Sequence, residues 1–335
     1  MRLSAMGDVA MTVPVLRAFV QQNPEVKITV ISRPFFKPFF EGIPNVVFFA
    51  FDEKQRHKGF IGLLRLFQDL KCLNIDAFSD LHNVLRSKVI RTLFALSGKK
   101  TAFVDKGRVE KAALTRSKNK IFKPITTMFE RHVKVFEKLG FKVDLSRPTF
   151  PKKAVLGTEI GILIGENHQK LIGVAPFAQY DSKVYPLDLM QQVIDQLAVN
   201  KTHEIMLFGG GKMEIELLDS LSKGKENVVV MAGKIKFQKE LQLISNLDVM
   251  LSMDSGNAHI AAMLGVKTIT LWGATHPFTG FSPFNQPLEN ALVSDINLFP
   301  KLPTSVYGNK IMEGYENAMR TISVDTVIDK INSSI

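Results

Sequence analysis

The chain has 335 residues, 45% hydrophobic and 22% charged, with 43 Lys+Arg against 32 Asp+Glu and a formal charge of +11. This length and balance suit a globular protein of two ordinary domains, each with its own core. No apolar run nears the roughly 20 residues of a membrane span, no apolar leader precedes Gly7 and Asp8, and the single cysteine, Cys72, excludes an internal disulfide.

Along the chain, apolar β-rich runs alternate with amphipathic helical stretches, which predicts an α/β protein with parallel sheets. Met1-Arg2-Leu3 lead into Ser4-Ala5-Met6-Gly7-Asp8-Val9, with Pro14 beyond: a strand-to-helix turn with a carboxylate at its tip. A doubly wound domain needs a full first strand there, usually central in its sheet. Three residues are few, so the sequence predicts a truncated start, with the natural one further upstream, and a largely empty strand position as the alternative. One helix is expected over residues 9–22. Strands follow at Val26–Ile31, Asn45–Phe51, Ile75–Ser79 and Thr101–Val104. The pairs Phe35-Phe36 and Phe39-Phe40 read either as a packed short helix or as a lipid contact, and Cys72 reads as core. Lys106, Arg108, Lys111, Arg116, Lys118, Lys120 and Lys123 form a basic run read as loop-rich.

Residues 146–153, Ser-Arg-Pro-Thr-Phe-Pro-Lys-Lys, have the prolines and charges of a linker, which divides the chain into domains 1–155 and 156–335. Strands of the second domain are expected at Leu171–Ala175, Glu204–Phe208, Asn227–Met231, Asp248–Ser252 and Thr268–Trp272, with a terminal helix over Val324–Ile331. Charge divides unevenly: residues 1–150 hold 27 Lys+Arg against 13 Asp+Glu, and residues 151–335 hold 16 against 19, giving +14 and −3. A basic first half suits an anionic partner, and without a nucleic-acid motif a phosphorylated lipid at a membrane face fits better than nucleic acid. The alternative is a merely solvated basic surface.

The sharpest feature is Asp254-Ser255-Gly256-Asn257-Ala258-His259, which follows the strand-like run Leu247–Met253 and opens an apolar helix. Free amides at a helix N-terminus, a small Ser and a Gly permitting close approach suit a diphosphate. An ordinary helix cap is the structural alternative. Asp254 suits sugar hydroxyls or capping better than phosphates, and His259, four residues after Ser255, shares its side of the helix or is a core histidine. Gly209-Gly210-Gly211 end a strand but form no G-x-G-x-x-G in the first βα unit, which argues against a dinucleotide enzyme. Seven histidines show no metal-ligand spacing, so no metal and no cofactor are expected.

Six stretches in order resemble glycosyltransferase family 9, the heptosyltransferases of the lipopolysaccharide inner core. They are Ser4–Asp8 (S-x-x-G-D), Lys183-Val184-Tyr185-Pro186 (K-x-W-P, with Tyr for Trp), Phe208–Gly211, Met231–Lys234, Asp254–His259 (D-[ST]-G-x-x-H) and Gly273–Pro277 (G-x-T-x-P). Asp80-Leu81-His82-Asn83-Val84-Leu85-Arg86-Ser87 also resembles the family's D-L-x-x-x-x-R-S. The resemblance implies a GT-B fold, two Rossmann-like doubly wound domains facing across a cleft, the terminal helix packing back toward the first. It implies an inverting, metal-independent transfer of a heptose or related sugar from an ADP-sugar to an anionic glycolipid, the lipopolysaccharide core. Asp8 is the implied base, its alternative being a helix cap, and Lys183 the implied partner of the leaving diphosphate, its alternative a surface lysine. Ser182, Gly209, Gly210, Lys234, Ile235, Asp254, Ser255, Gly256 and His259 are implied for the donor, and Gly7, His82 and Arg86 for the acceptor. The expected location is cytoplasmic, peripheral at the inner membrane face. A non-catalytic nucleotide-sugar or anionic-lipid binder and a sugar-nucleotide epimerase are the alternative functions.

Overall fold

Parallel strands joined by helices run through the computed structural model, which describes residues 1–165 and 169–335. The chain packs as two compact units, Met1–Gly107 with Thr126–Phe150, and Arg108–Ile125 with Pro151–Ile335.

In the first unit α1 (Met6–Ala10) and α2 (Thr12–Gln22) precede β1 (Ile28–Ser32), β2 (Val46–Ala50), α3 (Gly59–Lys71), β3 (Ala77–Asp80), α4 (Leu85–Leu96) and β4 (Lys100–Phe103). α5 (Arg108–Thr115) belongs to the other unit, and α6 (Met128–Glu137) to this one. β1 pairs in parallel with β2 from Ile28↔Val46, and β3 with β4 from Ala77↔Lys100. Met1–Leu3 lie between the two pairs. Arg2 N–H donates to Ile31 O (3.1 Å), Leu81 N–H to Met1 O (3.1 Å) and the Met1 amino group to Ser79 O (2.7 Å).

Met1–Leu3 therefore occupy the central position that the alternative reading left largely empty. The neighbouring β1 and β3 are themselves only five and four residues long. Met1 and Leu3 join Ile31, Phe51, Leu66, Phe78 and Phe94 in one core. The helix expected over 9–22 is two helices meeting at Met11, and Pro14 sits in the first turn of α2, where no N–H is missed. Cys72, expected in the core, is exposed. It caps α3, whose buried stripe is Leu63, Leu66 and Leu70, and two residues past Leu70 the helix has turned to its far side. In the 3₁₀ turn Pro34–Phe40, Phe36, Phe39 and Phe40 are buried and Phe35 is exposed.

The second unit adds α7 (Thr158–Ile164), β5 (Lys170–Ala175), α8 (Leu187–Val199), β6 (His203–Leu207), α9 (Lys212–Ser222), β7 (Val228–Val230), α10 (Phe237–Ile244), β8 (Val249–Met253), α11 (Gly256–Met263), β9 (Lys267–Trp272), β10 (Ala291–Val293) and α12 (Val324–Asn332). Its sheet is parallel with order β10-β9-β8-β5-β6-β7. Strand order reverses at β5, flanked by β8 and β6, so a crevice opens at the carboxyl ends there. The terminal helix α12, expected to pack back toward the first domain, buries Val327 and Ile331 in this unit's core and packs on α8.

Residues 108–125, expected as a loop-rich basic run, begin with α5 and pack in this unit. Lys111 is buried with its ammonium over the rings of Phe281 (4.3 Å) and Tyr307 (5.4 Å). Lys120 donates to the carbonyls of Lys301 (2.5 Å) and Pro303 (2.9 Å). These two cations hold loops together, Lys111 buried and Lys120 half-buried.

Candidate active site

In the first unit the turn after Leu3 places Asp8 in the first turn of α1, where its Oδ2 accepts from Ala5 N–H at 3.3 Å. The same oxygen lies 2.5 Å from Arg2 Nη2. Arg2 is buried and committed on its other donors, Nε to Ser4 O and Nη1 to Leu81 O, both at 2.9 Å. Asp8 is thus a helix-turn residue and an ion-pair partner at once, held in one orientation by a guanidinium. Gly7 precedes it in the same turn.

His82 enters from the loop after β3. Its Nδ1 accepts from Leu3 N–H at 3.4 Å, leaving the ring proton on Nε2. Burial, with the charges of Arg2 and Lys106, lowers its pKa to about 3, so it is neutral and offers a hydrogen bond rather than a cation. Asp80 shapes this loop by accepting from the backbones of His82 (3.0 Å) and Asn83 (2.7 Å).

Arg86, at the start of α4, donates to Glu53 Oε2 at 3.0 Å, and Arg33 Nη2 donates to the same oxygen at 3.0 Å. The three residues follow β1, β2 and β3, so they collect at the carboxyl edge of this sheet, as Asp8 does. Sequence reading missed Arg2, Arg33 and Glu53, which are ordinary charged residues until the strands align. It also missed His132 of α6, buried with neither ring nitrogen hydrogen-bonded, its pKa lowered to about 3 by burial and then by Arg2.

In the second unit the expected donor residues all follow strand ends. Lys183 closes the 3₁₀ turn Asp181–Lys183 after β5, and its Nζ lies 2.9 Å from Asp254 Oδ2 at the end of β8. These are the strands that define the switch point. The side chains are 13% and 7% exposed, and Thr275 Oγ1, in the loop after β9, donates to the same Asp254 oxygen at 2.8 Å. Asp254 therefore meets neither the helix it precedes nor an open surface. It orients Lys183.

Ser255, not Asp254, is the N-cap of α11, with no side-chain cap bond, so the first amides of the helix stay available to an anion. Ser255 Oγ lies 3.2 Å from Ser252 Oγ, and His259 is buried in the first turns of α11. Ser182, expected toward phosphates, instead donates to Gly308 O at 2.6 Å. Gly308 packs directly on Lys183, since a Cβ there would fall 2.3 Å from Lys183 Cδ. Thus the Lys301–Lys310 stretch is the loop that pins the Ser182-Lys183 turn. Gly210 N–H after β6 donates to Glu214 Oε2 at 2.7 Å, which brings in a carboxylate that sequence reading missed. Lys234 is exposed and Ile235 half-buried in the turn after β7, where Gly233 has φ +76°. Among the described residues, no three His, Cys, Asp or Glu side chains group to hold a metal, and no helix is long and apolar enough to cross a membrane.

The profile of glycosyltransferase family 9 (heptosyltransferase) matches residues 63–306. The chain belongs to that family. This glycosyltransferase is similar to the lipooligosaccharide heptosyltransferase 2 of Campylobacter jejuni, 26% identical over 298 residues that cover 88% of this chain and 85% of the relative. The lipopolysaccharide core heptosyltransferase OpsX of Haemophilus influenzae is 24% identical over 298 residues, covering 87% and 82%. Among solved structures, a family 9 glycosyl transferase of Veillonella parvula superposes with a TM-score of 0.74 at 20% identity, covering 99% of this chain and 94% of that one. The Escherichia coli heptosyltransferase WaaC with ADP gives 0.69 at 18% identity, covering 100% and 98%. The fold is GT-B, as the motifs implied.

Proposed function

We propose that this glycosyltransferase moves a heptose, or a related sugar, from an ADP-sugar to a lipopolysaccharide core acceptor, with inversion at the anomeric carbon and without a metal ion. The observation that carries this reading is Lys183, oriented by Asp254 at the β5/β8 switch point, beside the uncapped N-terminus of α11. That is an anion site of one ammonium and oriented amides, the charge a departing diphosphate needs. Relatives named for heptose transfer to lipopolysaccharide or lipooligosaccharide, and a similar structure holding ADP, support the substrate classes.

In this reading the acceptor hydroxyl oxygen attacks the anomeric carbon as its bond to the diphosphate oxygen breaks. Asp8, paired with Arg2, takes the hydroxyl proton. Lys183 and the α11 amides meet the negative charge that appears on the leaving ADP. One direct displacement at carbon gives inversion. Neutral His82 donates to an acceptor oxygen through Nε2, and Arg86 with Arg33 meets an acceptor carboxylate or phosphate. Glu214, at a strand end, suits ribose hydroxyls, and the turn at Lys234 and Ile235 suits the base through its main chain.

A panel of sugar nucleotides with a core acceptor, the product's anomeric configuration being read by NMR, tests the proposal. The expected product forms only from the ADP-linked donor, with inverted configuration, and forms in the presence of chelator. Retention, or a rate that chelator abolishes and magnesium restores, would overturn it.

A further inference from the structure

The outer face of α3 carries three large apolar side chains in open solvent: Phe60 and Ile61 at 66% exposure each and Leu64 at 38%. Helix geometry sets them together, since residues 60, 61 and 64 span about 100° of one face, while Leu63, Leu66 and Leu70 point the other way into the core. Nothing in this fold asks for the first three. The core is filled from the opposite stripe, and Gly62 already lies against the backbone of His57, where a Cβ would come within 2.2 Å. Single exposed apolar residues are ordinary, but three contiguous ones mark a contact surface.

Around them the exposed charge is positive. Lys54 and Lys58 precede the helix and Arg65 adjoins Leu64 on the same face, all exposed. The stretch Lys54–Lys71 holds Lys54, Arg56, Lys58, Arg65 and Lys71 against one acid, Asp69, which is engaged by Arg56 and His57. An apolar wedge set in a cationic ring matches an anionic bilayer, with acyl chains below and phosphate headgroups above. A protein partner of opposite charge would need acidic residues ordered around an apolar pocket. A second copy of this chain offers the same cations again and would repel.

Topology adds direction. β2 is parallel to β1, and α3 follows β2, so Phe60 and Ile61 sit at the carboxyl edge of the first unit's sheet. Asp8 and the Arg33–Glu53–Arg86 cluster occupy the same edge. From this juxtaposition we infer that the N-terminal half of α3 docks the protein on an anionic lipid surface, with Phe60, Ile61 and Leu64 entering the headgroup boundary. A lipid-anchored acceptor then meets this edge with its sugars outward.

Co-sedimentation of the full chain with vesicles, without substrate, tests the inference. Vesicles of phosphatidylcholine alone are compared with vesicles that also contain phosphatidylglycerol. The wild type should bind the mixed vesicles, weakly bind the neutral ones and release as salt rises. Phe60→Ser with Ile61→Ser should lower binding to mixed vesicles at least about tenfold. Lys58→Glu with Arg65→Glu should remove the preference for phosphatidylglycerol, because each cation near such a surface contributes roughly fivefold. Turnover of a de-acylated, soluble acceptor should be unchanged in both variants, which shows intact folding and separates this test from the reaction itself. Serine variants that bind like the wild type would overturn the inference. So would a wild-type chain that ignores vesicles, or one that self-associates until Phe60 is replaced, since the patch would then face a second copy.

Discussion

Asp254→Asn probes the charge pairing at the switch point. Asp254 Oδ2 takes Lys183 Nζ at 2.9 Å and Thr275 Oγ1 at 2.8 Å, with the charged side chains 7% and 13% exposed. Removing one member of a buried pair costs about 3–5 kcal/mol where water is fully excluded. Lys183 keeps some contact with water, and the Asn carbonyl still accepts one hydrogen bond, so a loss of about 2–3 kcal/mol is expected. For a unit of about 200 residues, each kcal/mol moves Tm by roughly 2–4 °C, giving a fall of about 4–12 °C. Lys183→Met strands the opposite charge and should cost a similar amount. The double variant strands neither, so its loss should fall short of the two single losses added together by at least about 1.5 kcal/mol. Urea unfolding of the four proteins, followed by circular dichroism, measures the cycle. Strict additivity, or single variants within about 0.5 kcal/mol of the wild type, would show that solvent and not the partner stabilises each charge, and would refute the reasoning.

Gly308 has φ +80°, and its Cβ would overlap Lys183 Cδ, so Gly308→Ala should cost about 1–3 kcal/mol in thermal unfolding and weaken donor binding by displacing the lysine. Normal donor affinity in that variant would detach the 301–310 loop from Lys183. His82 and His132 have folded pKa values of about 3 against 6.5. Between these values the unfolded chain binds more protons, so their contribution is full above pH 6.5 and is lost as pH falls, at up to about 1.4 kcal/mol per pH unit each. His132→Leu should flatten the dependence of unfolding free energy on pH by about that amount, whereas an unchanged slope would mean that His132 is protonated in the fold. Glu53→Gln should release Arg33 and Arg86 and lower KM for an anionic acceptor with kcat little changed. A higher KM would place the acceptor's charge elsewhere.

The strand-end motifs were legible because each needs only local chemistry: a small residue, a turn and a helix start. Lys183, Gly209, Lys234 and Asp254 accordingly all lie at the carboxyl edge of one parallel sheet. What those groups touch was not legible. Asp254 read as a cap or sugar ligand, but its partners Lys183 and Thr275 lie 71 residues before it and 21 after it in sequence, brought together only by the strand order. Arg2 has no motif to mark it in the sequence, yet it orients Asp8 because Met1–Leu3 pair with both neighbours. The basic run from Lys106 to Lys123 read as loop-rich, since nothing in its composition foretells that Lys111 packs on Phe281 and Lys120 on the 301–303 carbonyls. β10 went unpredicted because three residues carry no periodicity.

Release of ADP from ADP-heptose by the purified chain, with and without a lipopolysaccharide core acceptor, tests the central claim most directly when wild type and Asp8→Asn are run together. Release should depend on the acceptor, and Asp8→Asn should lower kcat by about 10²–10⁴ with donor affinity little changed, the usual effect of losing a general base. Asp8→Asn turning over at the wild-type rate, or ADP release indifferent to the acceptor, would contradict the account.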